Sequence, residues 1–272
     1  MRPAEIRCRH VVACTRNATG PGRPAPRPTA EPRSRVASGP GVTVLYLDNH
    51  LLVVDKPAGR LVQGDATGDP DLVTEAKAYL KDRFDKPGNV FVGLVHRLDR
   101  PTSGVVVLAR TSKAAGRLSD QFRRRTTDKR YLAVLDGVLD PEGQAIDGLQ
   151  KADGSVRIVD LGDPGAQRAA LRWRTLAVEG GRSLVDVHLE TGRKHQIRAQ
   201  LAARGAPVLG DFRYGSPREP FAEGRGIALH AWRLGLEHPT QREPRMFEAP
   251  PPPSWSGLFD QALSAHLAHP VP

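Results

Sequence analysis

Residues 96–109 constrain this chain more than any other stretch. His96-Arg97-Leu98-Asp99 leads into Arg100-Pro101-Thr102-Ser103-Gly104, and the apolar run Val105-Val106-Val107-Leu108-Ala109 follows at once. Five apolar residues without a break, entered through Pro and Gly, read as a buried strand. One carboxylate, Asp99, sits at its mouth. A fold places chemistry there rather than packing. A second stretch, Leu189-Glu190-Thr191-Gly192-Arg193-Lys194-His195-Gln196-Ile197-Arg198, brings cations from far along the chain.

The rest of the chain supplies more strands than helices. Leu51–Gly59 reads as a short buried strand closed by Pro57 and Gly59. Leu72–Phe84 reads as a helix, with Leu72, Ala76, Tyr79, Leu80 and Phe84 on one face. Ser112 is the expected N-cap of a helix through Arg125, with Ala115, Leu118 and Phe122 inward. Strands follow over 129–137, 171–178, 183–190 and 227–236, and a helix over 194–204 ends at Gly205. Residues 140–168, rich in Gly and Asp, are expected to be loops and short hairpins. Hairpins dominate over strand–helix–strand units. The expected class is α+β, with a mixed, mostly antiparallel sheet, flanking helices and a central cleft.

Composition separates a tail from a body. Apolar residues make up 39% of the 272 and aromatics 5%, so the core must be aliphatic. The formal charge is +10, and arginine supplies 32 of the 40 cations. Arginine pairs with phosphate in a bidentate fork and stacks on bases, which points to a nucleic-acid partner. Residues 1–40 hold eight arginines, two glutamates and seven prolines. They read as a disordered basic extension, with a targeting segment or a downstream translation start as alternatives. Order is expected from 41, so that 41–272 form one catalytic domain. Cys8 and Cys14 lie in the tail, which excludes a disulfide framework and fits a reducing compartment. No apolar run is long enough to span a bilayer. The expectation is a cytoplasmic protein, monomeric by default, with no membrane partner.

Taken alone, Asp99 could be a nucleophile, a general base, a metal ligand or a cap on the Thr-Ser-Gly turn. No set of metal ligands surrounds it in sequence. Arg97, Arg193 and Arg198 offer cations to keep it ionised, and an ionised carboxylate is nucleophilic at neutral pH. The run Arg123-Arg124-Arg125 fits two tasks, charge matched to a helix C-terminus and phosphate contact. His96, His195 and His230 are spaced too widely for a ready metal triad.

His96–Gly104 resembles the signature of the RluA-type pseudouridine synthases. Five further segments agree in order: Leu52–Gly59, Lys129-Arg130-Tyr131-Leu132-Ala133, Thr191–Arg198, Gly210-Asp211 with Tyr214-Gly215, and Leu229-His230-Ala231. The resemblance covers roughly residues 42–258. It implies isomerisation of uridine to pseudouridine in ribosomal or transfer RNA, without cofactor or metal. The base would leave C1′, rotate and rejoin through C5. Asp99 would match the catalytic aspartate, either attacking C1′ or removing a sugar proton. Arg198 would pair with it, Tyr131 would lie against the base, and Arg97 would fill the stack when the uridine flips out. His96, Thr102, Lys129, Arg193 and His195 are expected to bind RNA, the histidines alternatively holding turns. The rival readings are a lapsed enzyme that only binds RNA, a glycosylase and a nuclease.

Overall fold

The computed structural model describes residues 36–39, 42–217 and 226–269. In chain order the elements are β1 (Val36–Gly39), β2 (Val42–Leu47), β3 (Leu51–Lys56), α1 (Leu72–Arg83), β4 (Gly93–Leu94), β5 (Ser103–Ala109), α2 (Ser112–Arg124), β6 (Asp128–Leu135), β7 (Glu142–Ala152), β8 (Ser155–Val159), β9 (Gln167–Glu179), β10 (Arg182–Leu189), α3 (Gln196–Ala202), β11 (Leu229–Glu237), β12 (Pro244–Glu248) and α4 (Asp260–Ala268). Most of the expected extension, with Cys8 and Cys14, lies outside the described residues. Its last part does not: β1 pairs with β2, so strand begins before residue 41. No helix among the described residues is long and apolar enough to cross a membrane.

The twelve strands form one sheet in the order β1-β2-β3-β5-β11-β6-β10-β9-β7-β8, with β12 on β11 and β4 on β5. β5 and β11 run parallel, and the other described pairs are antiparallel. All seven residues of β5 are buried. Side chains alternate across a strand, so such a strand needs cover on both faces. Val106 and Leu108 pack with Leu72, Ala76 and Leu80 of α1, while Val105 and Val107 pack with Ala114 and Leu118 of α2. α3 and α4 cover the other half of the sheet through Ile197, Leu201 and Leu263.

The parallel joint places the Asp99 turn. Ala231 of β11 lies beside Gly104, whose φ is +117°. A Cβ there would sit 2.3 Å from the Ala231 carbonyl oxygen, so only glycine lets the two backbones meet. His230 then fastens the joint. Its Nε2 donates to the Ala249 carbonyl at 2.9 Å, which leaves Nδ1 to accept from the Ser103 hydroxyl at 2.8 Å.

Three local expectations change. Thr111, not Ser112, caps α2, its side chain accepting from Ala114 N–H at 3.2 Å. α3 starts at Gln196, because His195 is left-handed (φ 51°). Residues 140–168 do hold a hairpin, as expected, but its first strand is long: 11 residues against a 5-residue partner, where loops were expected to share the segment. Gly143 misleads as a turn signal. It lacks a side chain because the Trp173 ring lies on it, 2.2 Å from where a Cβ would be. β12 and α4 carry no signal that the sequence reading picked up.

Candidate active site

The turn that carries Asp99 is pinned from below by Lys56, a residue that the sequence reading passed over. Its side chain is fully buried, and Nζ donates to the carbonyls of Pro57 (3.0 Å), Arg60 (2.8 Å) and Arg100 (3.1 Å). Three ammonium protons meet three backbone acceptors. Burial drives the Lys56 pKa down to about 7, against the attraction of Asp99. Gly59 N–H also donates to the Arg100 carbonyl, and Thr102 N–H to that of Asp99. The Asp99 backbone is therefore held before any substrate arrives.

Arg198 enters from the first turn of α3. Its Nη1 donates to Asp99 Oδ2 at 3.1 Å. Its Nε and Nη2 grip Asp211 at 2.6 and 2.9 Å, a bidentate fork. The Arg198 and Asp211 side chains are 5% and 2% exposed, but Asp99 keeps 26%. The buried half of the network is thus saturated, and its free end opens outward. Burial opposes the Arg198 charge, yet Asp211 and then Asp99 outweigh it and raise its pKa.

Tyr214 and His195 close the cluster. The Tyr214 ring lies under the Arg198 guanidinium, 5.2 Å away. Its hydroxyl accepts from Val156 N–H at 3.0 Å and donates to His195 Nδ1 at 2.9 Å. The His195 proton then sits on Nε2, which faces Asp99 Oδ2 at 3.8 Å. Burial lowers the His195 pKa to about 4 against the pull of Asp99, with Arg198, Lys194 and Arg213 adding to the fall. His195 is therefore neutral at pH 7. Tyr131, on β6, faces the same space. Burial, and then the Asp99 charge, push its phenol well above the ordinary range. It presents a neutral ring and hydroxyl.

The other expected residues divide. Arg97 is exposed, two residues ahead of Asp99. Lys129 Nζ donates to the Thr191 carbonyl at 3.3 Å, and Arg193 Nε to that of Arg168 at 3.3 Å. Both stand at the mouth of the Thr191–Arg198 loop. A buried network ties that loop to β9: Thr191 donates to Gln196 Oε1 at 2.7 Å, and Gln196 donates to the Ala170 carbonyl at 3.0 Å. Thr102 is 2% exposed and does not reach the surface. Of the two tasks expected of His96, the structure shows the structural one. β5 pairs with β11 at Ser103–Gly104 and with β4 at Leu108–Ala109, and the Val107 N–H in the gap donates to His96 Nε2 at 2.9 Å. Asp211 and Tyr214 were legible only as members of a motif, with no task attached.

A partly exposed carboxylate fixed by guanidinium, with a neutral aromatic ring near it, suits a flat base and a sugar carbon. Residues 50–203 match the family described as RNA pseudouridylate synthase, more than half of the chain. The chain belongs to that family. As a pseudouridine synthase it isomerises uridine in RNA. It is 38% identical over 249 residues to a ribosomal large subunit pseudouridine synthase D of Xanthomonas campestris, covering 84% of this chain and 72% of the relative. It is 34% identical to an uncharacterised RNA pseudouridine synthase of Bacillus subtilis, covering 86% and 77%. Among solved structures, human RNA pseudouridylate synthase domain containing 1 superposes with a TM-score of 0.60 at 26% identity, covering 89% of this chain and all of that one.

Proposed function

We propose that this synthase acts on large-subunit ribosomal RNA, with Asp99 as its catalytic carboxylate. The observation that carries the reading is the Asp99–Arg198–Asp211 network, saturated at its buried end and open at Asp99. The relatives' names favour ribosomal over transfer RNA. A uridine in a stack cannot reach such a site, so it must flip out, at a cost of a few kcal/mol. Arg97, exposed two residues ahead of Asp99, fills the vacated stack. Arg198 holds the carboxylate in one orientation. Tyr131 offers its ring to the detached uracil while the base turns and C5 replaces N1 on C1′. Lys129 and Arg193 contact the RNA backbone at the loop mouth, and the work takes place in the cytoplasm.

Tritium release from large-subunit ribosomal RNA labelled at uridine C5 tests the reading. The native protein should release tritium. Asp99→Asn should lower turnover by at least about 10⁴-fold, the loss typical of removing an essential reacting group, and keep most of the RNA affinity. Full activity in Asp99→Asn would end the assignment. Activity on transfer RNA alone would move the substrate.

A further inference from the structure

The three arginines at the end of α2 do not share one fate. Arg123 pairs with Asp120, and Arg124 Nε lies 2.6 Å from the same carboxylate. These two are ordinary helix-surface pairs. Arg125 turns away, since it is the left-handed C-cap of α2 (φ 61°). It enters a pocket of about 280 Å³ lined also by Thr127, Arg168, His188, Leu189, Glu190 and Thr191.

The pocket is cationic and short of anions. Arg125 and Arg168 are exposed and have no acidic partner among the described residues. Its one lining carboxylate, Glu190, is taken by Arg172 at 3.0 Å, and His188 faces Asp128 at 3.2 Å. Lys129 backs on the same wall through the Thr191 carbonyl. Burial and then the Arg125 charge lower its pKa to about 8, against the pull of Asp128. Thr127 is a separate sign. It is 7% exposed, and its hydroxyl has no partner among the described residues. A buried hydroxyl without a partner costs free energy unless a ligand supplies one. Cations forced together with a spare donor match a phosphate oxygen set.

We infer that Arg125, Thr127 and Arg168 form a subsite for a phosphodiester of the RNA strand, around the lip of the cleft from Lys129. The inference rests on reading the Asp99 cleft as the uridine site. Phosphate contacts of this kind set register and affinity rather than base choice.

The test is filter binding of in vitro transcribed large-subunit ribosomal RNA across a range of KCl concentrations, with tritium release run in parallel. Arg125→Gln/Arg168→Gln should weaken binding about tenfold or more. The slope of log affinity against log salt should become shallower by about 1 to 2 units. KM should rise and kcat should stay. Arg123→Gln/Arg124→Gln removes the same formal charge outside the pocket and should do much less. Equal losses in the two double variants, or unchanged RNA affinity in Arg125→Gln/Arg168→Gln, would overturn the subsite. If the native protein binds but releases no tritium, the functional reading falls, and the binding comparison still decides the pocket. If it does not bind this RNA, both fall.

Discussion

Two buried clusters in this molecule share their residue types and differ in what they can do. In front of the sheet, Arg198 joins Asp99 and Asp211, with His195 beside them. Behind it, Arg130 joins Asp186 at 3.3 Å, and His266 of α4 lies 3.4 Å from the same carboxylate. Neighbours along a strand face opposite ways, so Arg130 and Tyr131 put one cluster behind and one in front. The front guanidinium has all three nitrogens bonded to carboxylates. In the rear cluster Arg130 Nε, Asp186 Oδ1, His266 Nε2 and the neighbouring Trp232 Nε1 make no hydrogen bond among the described residues, and these charged atoms meet partners only at longer range, Arg130 Nε 3.9 Å from Asp128 and His266 Nε2 3.4 Å from Asp186. Asp186 is closed off at 4% exposed, whereas Asp99 is 26% exposed. Residue type therefore does not make a site. A saturated support with one open carboxylate does.

The largest test of that contrast is Arg198→Met. It strands Asp211 as a buried, unpaired charge, and stability should fall by about 3–5 kcal/mol. Turnover should fall at least about 10²-fold in whatever folds. Urea denaturation and single-turnover assays read the two effects, and a stable, active variant would break the contrast. Asp186→Asn is its counterpart behind the sheet. It should cost about 1–3 kcal/mol of stability and leave kcat untouched. A fall in kcat there would show that the rear cluster serves the chemistry.

Acid should reach the joint between β5 and β11 that His230 fastens. Burial lowers the His230 pKa from 6.5 to about 4, against its bond to the Ala249 carbonyl. Above pH 6.5 both folded and unfolded forms are neutral, and the stabilisation is complete. As pH falls from 6.5 toward 4 only the unfolded form takes the proton. Stability should drop by roughly 1.4 kcal/mol per pH unit from this group. Urea titrations at neutral and at mildly acid pH would show it, and equal stabilities would refute it. The smallest effect belongs to Tyr214→Phe, which keeps the ring under Arg198 and removes the hydroxyl that orients His195. The loss should be about 1 kcal/mol, a several-fold fall in kcat with KM steady. No change would mean that His195 needs no such support.

Much of this was legible in the residues themselves. The run Val105–Ala109 had to be a buried strand, because five apolar side chains in a row leave no face for water. The motifs put Asp99, Tyr131 and Arg198 at one site, and Arg198 indeed bonds Asp99. Other parts were hidden for physical reasons. Gly143 looks like a turn until Trp173 is seen lying on it. Lys56 looks like a surface cation until three carbonyls converge on it. His96 looks like an RNA contact until the gap between β4 and β11 leaves Val107 N–H in need of an acceptor. The arginines at 123–125 look alike until backbone handedness turns one away. Local sequence determined which segments are strands and which carboxylate stands at a strand mouth, since burial period and turn chemistry act over a few residues. The tertiary structure decided which charges are satisfied and which are left open, since a partner from another element has no fixed distance along the chain.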